Sequence, residues 1–114
     1  LFADAGFMVI TSFISPYRKD RDSVREAMAE GDFVEVFVKA DLETCKKRDV
    51  KGLYGKAERG EIKDFTGVSA PYEEPENPEV VLDTDSHTKE ECAEEVFGYL
   101  KDKKYFFREL PGER

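Results

Sequence analysis

The sequence has little of several residue types on which common functional sites depend. It contains no tryptophan, one histidine and two cysteines, and Cys45 and Cys92 lie far apart without a CxxC or histidine spacing. Neither a zinc site nor a disulfide scaffold is therefore predicted, and two unpaired thiols are typical of a reducing cytosol. We accordingly expect a cytoplasmic protein.

Long apolar runs and an excess of positive charge are also lacking. No uninterrupted apolar stretch approaches the roughly 18 residues that a membrane span requires, and no signal peptide is visible. The net charge is −8, which argues against nucleic-acid binding because such proteins present a basic surface. Basic residues concentrate in 39–63 and acidic residues in 71–95. That distribution suits a small polyanionic ligand, or equally two ordinary solvated faces.

What the sequence does contain is enough apolar residues to fold and an alternation of strand and helix patterns. Hydrophobic residues make up 39% of the 114 residues, which is typical of a folded domain. The predicted strands are 7–13 (FMVITSF), 33–39 (FVEVFVK) and 80–84 (VVLDT), and the predicted helices are 18–30, 42–48, 52–59 and 88–101. This order predicts βαβ units and a mainly parallel sheet, an α/β fold.

The same pass along the chain predicts its organisation. Residues 60–79 show little periodicity, and a connection this long in a small domain is usually functional, so we expect a lid at about 49–78. Residues 102–114 are predicted to be a charged C-terminal tail. The first six residues match the last turn of a helix that ends at Gly6. We therefore expect one domain over 1–101 that is truncated at its N-terminus.

Ligands of open α/β sheets bind beyond the carboxyl ends of the strands, which directs attention to 14–18, 39–48 and 83–88. Each signal there is weak by itself. Ser15, next to Pro16, is typical of a turn and has no neighbouring base in sequence. His87 has no partners with which to hold a metal. Phe65, in a polar loop, either anchors the loop or stacks on a ligand ring, and the sequence leaves both alternatives open.

A phosphate-binding loop is not found in the sequence. Gly55-Lys56 is the nearest approach, but Val50 stands where the motif needs glycine and Ala57 where it needs serine or threonine. The sequence therefore carries no motif of its own for gripping the phosphates of ATP.

Taken together, the segments resemble the adenylylsulfate (APS) kinase family over residues 1–100. The resemblance is carried by many short matches in order and at family-like spacing. They are 2–6 (FADAG), 12–18 (SFISPYR), 20–21 (DR), 48–54 (RDVKGLY), 56–57 (KA), 60–62 (GEI), 65–67 (FTG), 71–73 (PYE), Pro75, 78–79 (PE) and 84–85 (TD).

The resemblance implies a three-layer, P-loop NTPase-like fold and an enzyme of sulfate assimilation. The implied reaction transfers the γ-phosphoryl group of ATP to the 3′-hydroxyl of adenosine 5′-phosphosulfate (APS), giving PAPS. Mg²⁺ would accompany ATP, with its ligands in an N-terminal part absent from this chain, and a homodimer is the family expectation. Two alternatives stay open: a non-catalytic module that binds APS or PAPS, and another P-loop kinase of small molecules.

The resemblance also implies site residues. Those expected to bind APS are Ile14, Ser15, Lys51, Asp64 and Phe65, and those expected to bind ATP are Arg48, Thr84, Asp85 and His87. Ser15 occupies a position assigned in the family to a phosphoserine, and Lys51 would reach the phosphosulfate or the transferring phosphoryl group, so both are candidate catalytic residues. Asp64 stands where many relatives carry glycine or asparagine. Arg18 and Arg21 are weaker candidates for supporting the anionic site.

Overall fold

The computed structural model describes residues 2, 5–103 and 105. Within this range the elements, in chain order, are α1 Arg18–Glu26, β1 Val36–Lys39, α2 Leu42–Lys47, α3 Leu53–Glu58, β2 Val80–Asp83 and α4 Lys89–Asp102. The fold is a small α/β arrangement, as the alternation of patterns predicted.

The two strands form a parallel pair. Val36 lies opposite Val80 and Lys39 opposite Asp83, so both strands end at the same edge of the sheet. One face of the pair is covered by α4, where Val80, Leu82 and Cys92 are buried. Burial of a side chain of this size stabilises the fold by about 1.5–3 kcal/mol. The core therefore lies directly behind the edge at which ligands are expected.

Helix α4 begins as its sequence predicts. The Thr88 hydroxyl accepts the N–H of Glu91, and the Glu91 carboxylate accepts the N–H of Thr88. This reciprocal capping box satisfies two backbone donors that the first turn leaves unpaired. The start of α4 is consequently fixed immediately after the loop that follows β2.

Helix α1 begins in a different way, with a cap supplied from far along the chain. Tyr17 at the N-cap position makes no side-chain capping bond. Instead the Glu73 carboxylate accepts the N–H of Arg18 at 3.0 Å, and the Glu73 N–H donates to the Pro16 carbonyl at 2.8 Å. A carboxylate at a helix N-terminus is favoured by the helix dipole. The start of α1 is thus tied to residues near the end of the predicted lid.

The predicted first strand is wrong in this structure. Residues 7–13 pair with no strand among the described residues, where the sheet consists of β1 and β2 alone. Phe7, Ile10 and Phe13 are 66%, 86% and 84% exposed. A buried strand needs neighbours for its backbone N–H and C=O groups and for both of its faces. The apolar pattern is present, but within the described residues these partners are not, so the layered sheet is smaller than predicted.

Several boundaries also differ from the sequence-based ones. Helix α1 ends at Glu26 rather than at 30, and β1 begins at Val36 rather than at 33. Asp41 is the N-cap residue of α2 as predicted, but its side chain makes no capping bond. Of the predicted tail, Asp102 belongs to α4, whereas residue 104 and residues 106–114 lie outside the described residues. The domain and lid limits stay predictions.

Candidate functional site

The carboxyl edge of the strand pair brings together residues from two distant parts of the sequence. Arg48, just after α2, donates from Nη1 to Thr84 Oγ1 at 3.0 Å and from Nη2 to the Thr84 carbonyl at 2.8 Å. Thr84 in turn bonds to the Lys39 carbonyl at the end of β1 through its N–H and its hydroxyl. A guanidinium is well suited to such paired donation because its N–H groups form a rigid fork. Arg48 and Thr84, both expected to bind ATP, are therefore in direct contact, while their role in binding ATP stays a prediction.

Asp85 closes the same edge from the β2 side. Its Oδ2 accepts the N–H of Asp41 at 2.9 Å. A hydrogen bond from the Thr44 side chain, followed by that backbone bond, lowers the pKa of the Asp85 carboxyl below its ordinary value, and the nearby charge of Arg48 acts in the same direction. Asp85 is thus an ionised acceptor that joins the loop after β2 to the start of α2.

His87 stands at the rim of this edge. Its backbone N–H donates to the Asp83 carbonyl at 3.1 Å, and its ring Nδ1 lies 3.2 Å from the same carbonyl oxygen. The imidazole is held against its own turn, so it is placed at the mouth of the site without reaching into a metal-binding cluster.

A groove of about 600 Å³ runs along the covered face behind this edge. Arg48, Thr84 and His87 form part of its polar rim, and apolar side chains form its floor. The lining residues are Val38, Arg48, Leu82, Thr84, His87, Thr88, Lys89, Cys92, Ala93 and Val96. An apolar floor with a few convergent polar groups is typical of a small-molecule site.

Phe65 lies in a tight turn whose backbone is closed on itself. The Phe65 carbonyl accepts the N–H groups of Val68, Ser69 and Ala70, and its own N–H donates to Ser69 Oγ at 2.8 Å. The Phe65 ring meets that of Tyr54 edge-to-face, with centroids 5.0 Å apart and planes at 79°, a favoured aromatic geometry. Phe65 therefore anchors its loop against α3, and its ring is only half-buried.

Asp64 precedes this turn with an unusual backbone. Its φ is +53°, the one positive value for a non-glycine residue among those that the structure describes. Glycine adopts such angles freely, and asparagine and aspartate do so more readily than other residues. The conformation gives a physical reason for the glycine or asparagine expected at this position in relatives.

Ser15 is half-buried in the turn before α1, and Ile14 beside it is 73% exposed. The Ser15 carbonyl accepts a hydrogen bond from Arg21 Nη1. Within the part of the chain that the structure describes, the Ser15 hydroxyl makes no hydrogen bond of its own. The backbone of this turn is held while the hydroxyl is left available.

Lys51 lies at the tip of the turn between α2 and α3. The turn is shaped by Gly52, whose φ is +66°, and by Asp49, whose Oδ2 accepts the N–H of Tyr54 at 2.8 Å. Lys51 is exposed, and across the described ranges its ammonium group forms no ion pair. Its position is fixed by the backbone while its side chain is free to reach a ligand.

The structure thus brings the predicted site residues together in part. Arg48, Thr84, Asp85 and His87 converge at one edge. By contrast, no hydrogen bond, ion pair or ring contact in the described parts joins Ile14 or Ser15 to the other predicted APS residues, Lys51, Asp64 and Phe65. The APS-binding assignment stays a prediction.

Comparison with known proteins now decides the family. Residues 1–83 match the family model described as adenylylsulphate kinase. The chain belongs to the adenylylsulphate kinase family.

Relatives within this family are close in sequence. A probable adenylyl-sulfate kinase of Halalkalibacterium halodurans is 56% identical over 100 residues, which cover 88% of this chain and 50% of the relative. The adenylyl-sulfate kinase of Thermodesulfovibrio yellowstonii is 56% identical over 103 residues, covering 90% of this chain and 52% of the relative. The chain spans about half the length of the curated relatives it matches.

A solved structure supports the same fold. The APS kinase CysC of Mycobacterium tuberculosis, solved in complex with AMPPNP and APS, superimposes with a TM-score of 0.78 at 41% identity. The match covers 88% of this chain and 58% of that protein. The likeness therefore extends over most of this chain and over somewhat more than half of that protein.

The described residues contain neither a membrane-spanning helix nor a cluster of three metal-binding side chains. No helix in the described residues is long and apolar enough to cross a membrane. Nor do the described histidine, cysteine, aspartate and glutamate side chains form a group of three that could hold a metal ion.

Sequence reasoning missed two supporting features of the family site. Tyr54 was read only as part of a family motif, yet its ring braces Phe65. Glu35 was read as part of a strand, yet its carboxylate pairs with Arg21 of α1. The signal for Glu35 was its alternation with Phe33 and Phe37, because a charge on the same side as two aromatic residues needs a partner.

Proposed function

We propose that this chain is the nucleotide-binding and acceptor-side part of an adenylyl-sulfate kinase. The complete enzyme transfers the γ-phosphoryl group of ATP to the 3′-hydroxyl of APS and releases ADP and PAPS. The observation that carries the proposal is the likeness, in sequence and in fold, to an enzyme solved with an ATP analogue and APS. Both ligands are anionic adenine nucleotides, which suits a site with cations and aromatic surfaces.

The edge formed by Arg48, Thr84, Asp85 and His87 is the proposed ATP side. The groove behind it offers an apolar floor for an adenine ring, and Arg48 is held flat at the rim by its two bonds to Thr84. A guanidinium so fixed stacks on a planar base without a large further loss of side-chain freedom. Asp85 keeps the two loops of the rim together.

The proposed APS side consists of Ile14 and Ser15, of Lys51, and of the turn that carries Asp64 and Phe65. Phe65 offers a half-buried ring for the adenine of APS, and Asp64 contributes through its backbone. Lys51 supplies a mobile positive charge for the phosphosulfate or the transferring phosphoryl group. Direct in-line transfer requires positioning and charge stabilisation rather than a covalent serine, so the role of Ser15 is proposed to be contact with APS.

One requirement of phosphoryl transfer is not met by this chain, because its sequence has no phosphate-binding loop. When bound, Mg²⁺ would neutralise charge on the ATP phosphates, but we assign no residue of this chain to hold it. We therefore propose that the 114 residues are inactive alone and that other parts of the enzyme grip the phosphates.

Two broader properties are proposed with the function. The complete enzyme is a homodimer, as the family resemblance implies. It acts in the cytoplasm, which is supported by the unpaired state of Cys45 and Cys92, since reduced thiols persist in that compartment.

The experiment is an assay of PAPS formation from ATP and APS by the full-length protein that carries this chain. We expect PAPS and ADP in equal amounts. Phosphorylation of a different small molecule would overturn the substrate and leave a related P-loop kinase. Binding of APS or PAPS without turnover would instead establish the non-catalytic module.

Lys51→Ala is expected to lower kcat in the active enzyme by about 100-fold, because a charge that stabilises the transferring group acts mainly in the transition state. The matched control is Lys56→Ala, a neighbouring exposed lysine on α3. Steady-state kinetics with APS varied check the prediction. Equal kcat values for Lys51→Ala and the wild type would remove Lys51 from the site.

Phe65→Leu is expected to raise KM for APS by about tenfold with little change in KM for ATP, since base stacking contributes about 1–3 kcal/mol per base. Tyr54→Leu is the matched variant, because it removes the ring that braces Phe65 but not the stacking surface itself. We expect a smaller APS effect for Tyr54→Leu. A larger effect for Tyr54→Leu than for Phe65→Leu would show that Phe65 is only a loop anchor.

A further inference from the structure

Arg21 of α1 makes polar contacts with three separate segments of the chain. Its Nη1 donates to the Ser15 carbonyl, and its Nη2 donates to the Glu73 carbonyl. Its Nε lies 3.2 Å from Glu35 Oε2. One guanidinium therefore joins the turn before α1, the chain at 73, and the entry to β1.

The Arg21–Glu35 pair is largely withdrawn from solvent. The side chain of Arg21 is 11% exposed and that of Glu35 is 14% exposed. The guanidinium carbon also lies 5.6 Å from the centre of the Tyr72 ring, and Tyr72 stacks on Phe37 of β1. Each of the three guanidinium nitrogens of Arg21 thus has a protein acceptor, and its role in supporting the anionic site stays a prediction.

A second set of bonds holds the same two segments. Glu73 donates its N–H to the Pro16 carbonyl and accepts the N–H of Arg18. Arg18 Nε donates to the Glu74 carbonyl at 2.7 Å. The end of the predicted lid is thus fastened to the turn that contains Ser15, and Arg21 bonds to both sides of that junction.

We propose that Arg21 is a positioning residue for APS, which fixes the Ser15 turn against the 71–74 segment through its two carbonyl bonds. The inference rests on the proposed function, because Ile14 and Ser15 are proposed APS contacts. Glu35 orients the guanidinium, so that the remaining two nitrogens point at the two carbonyls.

Arginine is required at this position because three nitrogens with fixed directions serve three acceptors. A lysine keeps the positive charge and can still pair with Glu35, but its single ammonium group cannot span both carbonyls. Arg21→Lys therefore keeps the ion pair with Glu35 and removes the simultaneous hydrogen bonds to the Ser15 and Glu73 carbonyls.

The test compares Arg21→Lys with Arg25→Lys in the full-length protein that carries this chain. Arg25 lies on the same helix and pairs with Glu79 at 2.6 Å and with Glu35 at 3.7 Å, but it bonds to neither carbonyl. For Arg21→Lys we expect KM for APS to rise about tenfold, since hydrogen bonds from a charged donor are worth more than neutral ones. The KM for ATP should change less than about threefold. Arg25→Lys should keep the KM for APS of the wild type.

Amide hydrogen exchange in the 114-residue chain gives an independent readout. Arg21→Lys should increase exchange of the Glu73 amide by about tenfold, because opening of the junction becomes easier, whereas Arg25→Lys should not. If the wild type makes no PAPS, the proposed function fails. Hydrogen exchange at the Glu73 amide then decides by itself whether Arg21 fixes the Ser15 turn against the 71–74 segment. An active Arg21→Lys enzyme with wild-type KM for APS and wild-type exchange at Glu73 would overturn it.

Discussion

At the scale of single residues, the backbone conformation of Asp64 limits which residue types can occupy that position. Its φ of +53° is costly for most residues because Cβ approaches the backbone. We expect Asp64→Val to lower the free energy of unfolding by about 1–2 kcal/mol, while Asp64→Gly should leave it unchanged or raise it. Urea denaturation followed by circular dichroism measures both. A stable Asp64→Val variant would contradict the assigned conformation.

The sequence left two roles open for Phe65, and the structure establishes one of them. Its polar, glycine-bounded surroundings indicated either an anchor or a stacking surface. The contact with Tyr54 establishes the anchor, while stacking on APS stays a proposal. Sequence spacing could not separate the two because Tyr54 belongs to a different element, α3, and the ring geometry arises only when the loop folds back on it.

At the scale of elements, the start of α4 is expected to be sensitive to acid. Backbone and side-chain hydrogen bonds to Thr88 lower the pKa of the Glu91 carboxyl. A carboxyl whose pKa is lowered by folding stabilises the fold fully above its ordinary pKa, and this contribution is lost as the pH falls through the lower, folded-state pKa. We expect α4 to be destabilised in that acid range. In Glu91→Gln, stability should fall less steeply as the pH is lowered.

Urea unfolding measured across the acid range checks this expectation, with Glu94→Gln as the control. Glu94 lies on the same helix and is exposed, so its replacement makes the same charge change away from the cap. A steeper acid loss in Glu91→Gln than in Glu94→Gln would contradict the role of the capping box.

The two long helices differ in how their starts are encoded. The Thr-x-x-Glu pattern of α4 is local, and so the sequence predicted its N-terminus correctly. Helix α1 has no such local cap and relies on Glu73, a residue that only tertiary folding brings near. Its C-terminal boundary was likewise placed too late.

At the scale of the whole molecule, the chain exposes much apolar surface. Phe7, Val9, Ile10, Phe13 and Ile14 are 66%, 52%, 86%, 84% and 73% exposed. A small buried core and a large apolar surface together imply low stability for the chain by itself.

Two substitutions compare an exposed and a buried apolar residue, each from a segment whose sequence predicts a strand. Ile10→Ser should change the free energy of unfolding by less than about 0.5 kcal/mol, because Ile10 is 86% exposed. Leu82→Ala should cost about 2–5 kcal/mol, because Leu82 is 6% exposed. Thermal and urea unfolding of the 114-residue chain measure both. If Ile10→Ser lowered the free energy of unfolding as much as Leu82→Ala does, Ile10 would be buried, and the strand predicted at 7–13 would be supported.

The sequence by itself determined the α/β class, the presence of strands near β1 and β2, the capping box of α4 and the family. These features depend on local periodicity, on short-range hydrogen bonds and on motifs in order along the chain. Only the tertiary structure decided that residues 7–13 lack strand partners within the described residues. It alone placed Glu73 at the start of α1, Tyr54 against Phe65, and Arg21 between two carbonyls. Each of these depends on contacts between residues distant in sequence, and no local pattern specifies which distant groups will meet.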